Sequence, residues 1–93
     1  SSGFGGGVGV EPPTRHPQGT LKALRVFREV LAQYPKTQSA ATAQYYSAVI
    51  LDYCLNDTKN ALVEFDVFLK KFPADKSHVD RAKGRVAALR AAR

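Results

Sequence analysis

Residues 61–73 read ALVEFDVFLKKFP, and residues 23–35, 38 positions earlier, read ALRVFREVLAQYP. In register, Ala23 falls on Ala61, Leu24 on Leu62, Phe27 on Phe65 and Leu31 on Leu69. Tyr34 falls on Phe72, Pro35 on Pro73, and Val30 meets the equally apolar Phe68. Within each copy the apolar residues recur at three- and four-residue spacing, which is the stripe of an amphipathic helix, and the proline stops it. Self-similarity at a fixed period is the signature of a helical solenoid, in which each unit hides its apolar face only against its neighbours. Phe27 and Phe65 are accordingly expected to be equivalent core residues.

Outward from the two copies, the remaining helices follow. A helix is expected from about Ser39 to Leu55, with one apolar stripe of Ala43, Tyr46, Val49, Ile50 and Tyr53 and another of Tyr45, Ala48, Leu51 and Leu55. A helix apolar on most sides lies centrally, packed on two neighbours. Asn56-Asp57-Thr58 supplies a turn rich in capping residues. A last helix is expected from Ser77, because Ser77-His78-Val79-Asp80 has the spacing of a capping box. Its buried stripe is Val79, Ala82, Val86 and Leu89. Gly84 interrupts it at a cost of about 1 kcal/mol, or marks a close helix crossing. The first helix is expected to start with Thr20 as its N-cap. Residues 1–19 hold six of the seven glycines and three of the five prolines, so they read as a flexible Gly/Pro-rich linker or tag. The glycine run there is not a phosphate loop, since no strand precedes it and no Gly-Lys-Ser/Thr follows.

Ala61, Phe65 and Pro73, repeated as Ala23, Phe27 and Pro35, have the spacing of the alanine, aromatic and proline in the second helix of a tetratricopeptide repeat. Residues 20–93 therefore resemble a tetratricopeptide-repeat (TPR-like) domain, and the helix ends are similar to those in bacterial cell-envelope proteins. The resemblance implies an all-α fold, a four-helix antiparallel hairpin array (a short α-solenoid) behind the N-terminal arm. It also implies a scaffold or adaptor function in the bacterial periplasm or envelope, with the cytoplasm as the alternative. The chain departs from the pattern at Val30 and Phe68, where a small residue is usual, and in its period of 38. In phase, it holds one complete repeat with half a repeat on either side. The first helix thus lacks its usual partner, and weak self-association through Leu21, Leu24 and Leu31 is expected.

Composition sets the competing function classes. The 93 residues carry a net charge of +6, concentrated at the C-terminal end, where Lys76–Arg93 holds six basic residues and a single acidic one, Asp80. A basic helix over residues 76–93 makes nucleic acid or an anionic membrane surface the alternative partner. Against it, Arg81, Lys83, Arg85 and Arg90 point in several directions, and no aromatic residue is interleaved with them. Catalysis needs converging polar groups, whereas Glu29, Asp52, Asp57, Glu64, Asp66, Asp75 and Asp80 read as scattered singly. Cys54 is the only cysteine and is expected to be a half-buried small hydrophobe. With only His16 and His78 beside it, a metal site of three or four ligands is not expected, nor is a cofactor. No apolar run is long enough to span a bilayer.

The expected function is protein binding. In the resembled family the concave groove is lined by first helices, at positions that correspond here to Ala43, Tyr46, Ile50 and Tyr53, and on the last helix to Arg81, Arg85 and Ala88. Tyr46, Ile50, Tyr53, Arg81 and Arg85 are the candidate partner-binding residues. The set suits a peptide with an apolar anchor and an acidic group or terminal carboxylate.

Overall fold

Pro35 and Pro73 lie in the turns that follow two of the helices, as their lack of an N–H dictates. The computed structural model describes residues 17–92. Helix α1 spans Pro17–Gln33, α2 Gln38–Val49, α3 Thr58–Lys71 and α4 Lys76–Ala91; α2 runs on into a π-helical turn, Ile50–Cys54. The described residues are all helical or turn, with no strand among them, and the four helices pack in sequence. The expected linker over residues 1–16 lies outside the described residues. Residues 17–19 belong to α1, which starts before Thr20. A proline suits a first helical turn, because its φ is preset and it has no N–H there to leave unpaired.

Caps explain the other boundaries. The Thr37 hydroxyl accepts the Ala40 N–H at 3.1 Å and donates to the Tyr34 carbonyl at 2.8 Å, joining the end of α1 to the start of α2. Asp57 caps α3 by accepting the Asn60 N–H at 3.2 Å. Between the π turn and α3 the chain reverses through Asn56, whose φ of 53° is in the left-handed region. Asparagine tolerates that region better than most residues. The capping box expected at Ser77 does not form. Helix α4 starts at Lys76 with Asp75 as its N-cap residue, and the Asp75 carboxylate makes no capping bond. It is held instead by Gln38 Nε2 at 3.3 Å and lies 3.1 Å from His78 Nδ1.

Long-range bonds give the helix directions. Gln38 meets Asp75, Tyr45 stacks on His78, and Asp52 meets Arg85, so α2 and α4 run parallel. Gln44 reaches Glu64 on α3, while Asp57 at the start of α3 bonds back to Leu51, so α2 and α3 are antiparallel. The core lies where α2, α3 and α4 meet, around Tyr45, Ala48, Leu51, Phe65, Phe68 and Val86. Tyr45 packs edge-on against both Phe65 and Phe68. Among the described residues the three buried polar side chains are all bonded: Gln44 Nε2 donates to the Glu64 carbonyl and carboxylate, Ser47 Oγ to the Ala43 carbonyl, and Asp52 accepts from Arg85.

Three expectations about packing are corrected. Phe65 is completely buried, but Phe27 is half-buried and stacks on Tyr46 at 6.4 Å. The repeat places both on the same face, but among the described residues α3 has a helix on either side whereas α1 packs chiefly on α2 and its π turn. Cys54 is exposed, carried outward by the π turn. Gly84 marks no helix crossing: a Cβ there would meet nothing within 4 Å.

Candidate functional site

The two apolar stripes of α2 are buried unequally: in the second, Ala43 is buried and Val49 and Ile50 are half-buried, but its tyrosines are open. Tyr45, Ala48 and Leu51 enter the core, whereas Tyr46 and Tyr53 remain 39% and 59% exposed. Helix α4 runs parallel beside them, and between the two lies an open groove of about 480 Å³. Its α2 side is Tyr45, Tyr46, Val49 and Tyr53, and its α4 side is Arg81, Gly84 and Arg85. Four of the five nominated residues, Tyr46, Tyr53, Arg81 and Arg85, thus line one cleft.

Ile50 does not. At 3.6 residues per turn it sits about 40° round the helix from Tyr46, on the side away from Tyr45 and Val49. The groove opens on the Tyr45 side, because α4 packs there through His78. Val49 takes the place expected for Ile50.

The aromatic wall is fixed from behind. The His78 ring stacks on Tyr45 with centroids 4.4 Å apart and meets Tyr46 edge-on at 5.8 Å. Asp75, beside His78 and Gln38, ties this ring to the start of α2. The His78 hydrogen bond, helped by Gln38 and opposed by burial, holds the Asp75 carboxyl below the usual carboxylate range. Burial raises the pKa of the Tyr45 hydroxyl, and the neighbouring Arg81 guanidinium opposes the rise.

The two arginines differ in availability. Arg85 donates from Nε to Asp52 Oδ2 at 2.7 Å and from Nη2 to Oδ1 at 3.0 Å, a two-pronged pair with a nearly buried carboxylate. This bonding holds the guanidinium proton more tightly than usual. The same guanidinium lies 4.9 Å from the Tyr53 ring centre, a cation–π contact. The π turn makes both contacts, since Asp52 and Tyr53 are consecutive within it. Arg81 is exposed and has no carboxylate partner among the described residues. Arg81 is therefore the cation at the groove left open to a ligand.

Asp52 was expected to stand alone, and its role is structural support of the site. Its signal lay in the spacing: parallel helices one repeat apart bring together residues separated by nearly one period, here 33 for Asp52–Arg85 and 37 for Gln38–Asp75. Elsewhere on α4, Arg90 pairs with Asp66 on α3 at 3.1 Å. By helical geometry Lys76, Lys83 and Arg90 lie on the side opposite Arg81 and Arg85. The basic residues are thus split between two faces and partly neutralised. Among the described residues no three His, Cys, Asp or Glu side chains converge, and no helix is long and apolar enough to cross a membrane.

Comparison of the chain with family models, with curated proteins and with solved structures found no match. Function is therefore read from the groove.

Proposed function

We propose that this chain is a protein-interaction domain of tetratricopeptide-like helical hairpins, which binds a peptide segment of a partner protein in the groove between α2 and α4. The observation that carries the reading is the convergence of Tyr46, Tyr53, Arg81 and Arg85 on one cleft. Tyrosines give rigid contact area that is apolar in body and polar at the tip, and an arginine such as Arg81, with no carboxylate partner among the described residues, recognises a carboxylate through two parallel hydrogen bonds. The antiparallel neighbours and the parallel α2 and α4 support a hairpin array. Binding is favoured over catalysis, because Asp52, Asp75 and His78 are held by other side chains rather than aimed into the groove.

Selection of a displayed peptide library against the domain tests this. Acidic peptides with an apolar or aromatic residue are expected to be enriched, and Tyr46→Ala or Arg81→Ala to weaken them by about 1–2 kcal/mol. Binding of random duplex DNA that falls steeply with salt, ignores Tyr46 and weakens on neutralising Lys76 or Lys83 would favour the nucleic-acid alternative instead. The apolar patch expected for self-association is reduced: Leu24 is buried in the core and Leu31 is half-buried, so of the three only Leu21, 53% exposed, is left to carry weak self-association. A clean monomer in sedimentation at high concentration removes it.

A further inference from the structure

Among the described residues, nothing packs against Gly84 closely enough to require a glycine. It sits in the interior of α4, where glycine weakens a helix relative to alanine. A Cβ at this position would meet nothing within 4 Å, so no neighbouring element requires its absence. Yet Gly84 lines the groove, with Arg81 one turn before it and Arg85 directly after. A glycine that relieves no contact among the described residues leaves the backbone bare, so an outside group can come close to it there.

Resting on the proposed peptide groove, we infer that Gly84 is a specificity-determining notch that admits one bulky aromatic side chain of an acidic peptide. The chemistry of the site sets that occupant. Across the groove from Gly84 stand the tyrosine rings of α2, and a flat ring seated on the bare backbone packs against them. A carboxylate beside the aromatic residue reaches Arg81, because Arg85 already gives two hydrogen bonds to Asp52. The net charge of +6 favours the approach of an acidic segment. An alanine methyl at position 84 fits the free protein but occupies the volume the ring needs.

The test uses the whole chain, isotope-labelled for NMR, and three probes: a short polyglutamate peptide with one central tryptophan, the same peptide with alanine in its place, and a polylysine peptide with the tryptophan. The tryptophan–glutamate peptide is expected to shift the amides of Tyr46, Tyr53 and Gly84 saturably, and the other two to bind much more weakly. Gly84→Ala is expected to raise the Tm by about 3–6 °C through helix propensity. The same variant is expected to weaken the tryptophan–glutamate peptide about tenfold or more, the effect of one misplaced methyl group in a pocket. If Gly84→Ala binds that peptide unchanged while Tyr46→Ala loses it, the notch is wrong and the groove stands. If no probe moves the groove amides, the notch and the groove both fall.

Discussion

At the scale of single residues, the two groove arginines should separate stability from binding. Arg85→Ala leaves the nearly buried Asp52 carboxylate without its two donors, which costs about 2 kcal/mol. That figure lies below the loss for a fully buried pair, because the Arg85 side chain is itself partly exposed. Arg81→Ala strips no buried carboxylate of its donors, only the neighbouring Tyr45 hydroxyl of a cation, and should cost clearly less, about 0.5 kcal/mol. Urea unfolding of the two variants checks this, and equal losses would contradict the assignment of Asp52 to Arg85. The two repeat phenylalanines should part in the same way. Phe65→Ala opens a cavity worth about 3–5 kcal/mol in a closed core. Phe27→Ala should cost less than half of that, since one side of its ring already faces away from the core. Residue type and spacing identified both phenylalanines as equivalent. They could not weigh them, because burial depends on how many helices flank each copy. Cys54 was expected half-buried from the usual behaviour of free cysteine alone, and its exposed place at the end of the π turn depends on backbone geometry that residue type does not carry.

At the scale of elements, helix number, order and approximate ends were legible in the sequence, since they depend on periodicity and on the local chemistry of Pro35, Pro73 and Asp57. What was not legible depends on long-range partners. Asp75 and Ser77 both have the chemistry of a cap, and the choice between them turns on Gln38 and His78, which only the folded chain brings near. The π turn is likewise invisible in the apolar pattern, though it aims Asp52 and Tyr53 at Arg85. Its exit is a testable weak point. Asn56 holds a left-handed backbone, so Asn56→Ala should cost about 1 kcal/mol, whereas Asn56→Gly should be tolerated. Thr37→Ala removes the side-chain cap of α2 and should also cost about 1 kcal/mol. Thermal melts of these variants check both, and a neutral Asn56→Ala would mean that the chain leaves α2 by another turn.

At the scale of the whole molecule, two carboxylates should make the fold sensitive to acid: Asp57, which caps α3, and Asp75, which links α4 to α2. Asp57 is held below its usual pKa of 3.8 by hydrogen bonds from the Asn60 side chain and backbone, and Asp75 below the same value chiefly by His78. A lowered pKa in the folded state means that the unfolded chain takes up protons first as the pH falls. The stabilisation from both groups is therefore complete above about pH 4 and is lost as the pH drops from there through their folded values. Asp57 starts α3 after the π turn, and Asp75 links the starts of α2 and α4, so protonation loosens both ends of the groove's frame together. The Tm should be nearly flat in this respect from neutral pH to about 4 and then fall. Replacing Asp57 and Asp75 with asparagine should lower the Tm at neutral pH and shrink the acid-dependent drop. Melting curves for the parent and the double variant from pH 7 to pH 2 decide the matter. A parent protein whose acid slope survives both substitutions would place the sensitive groups elsewhere.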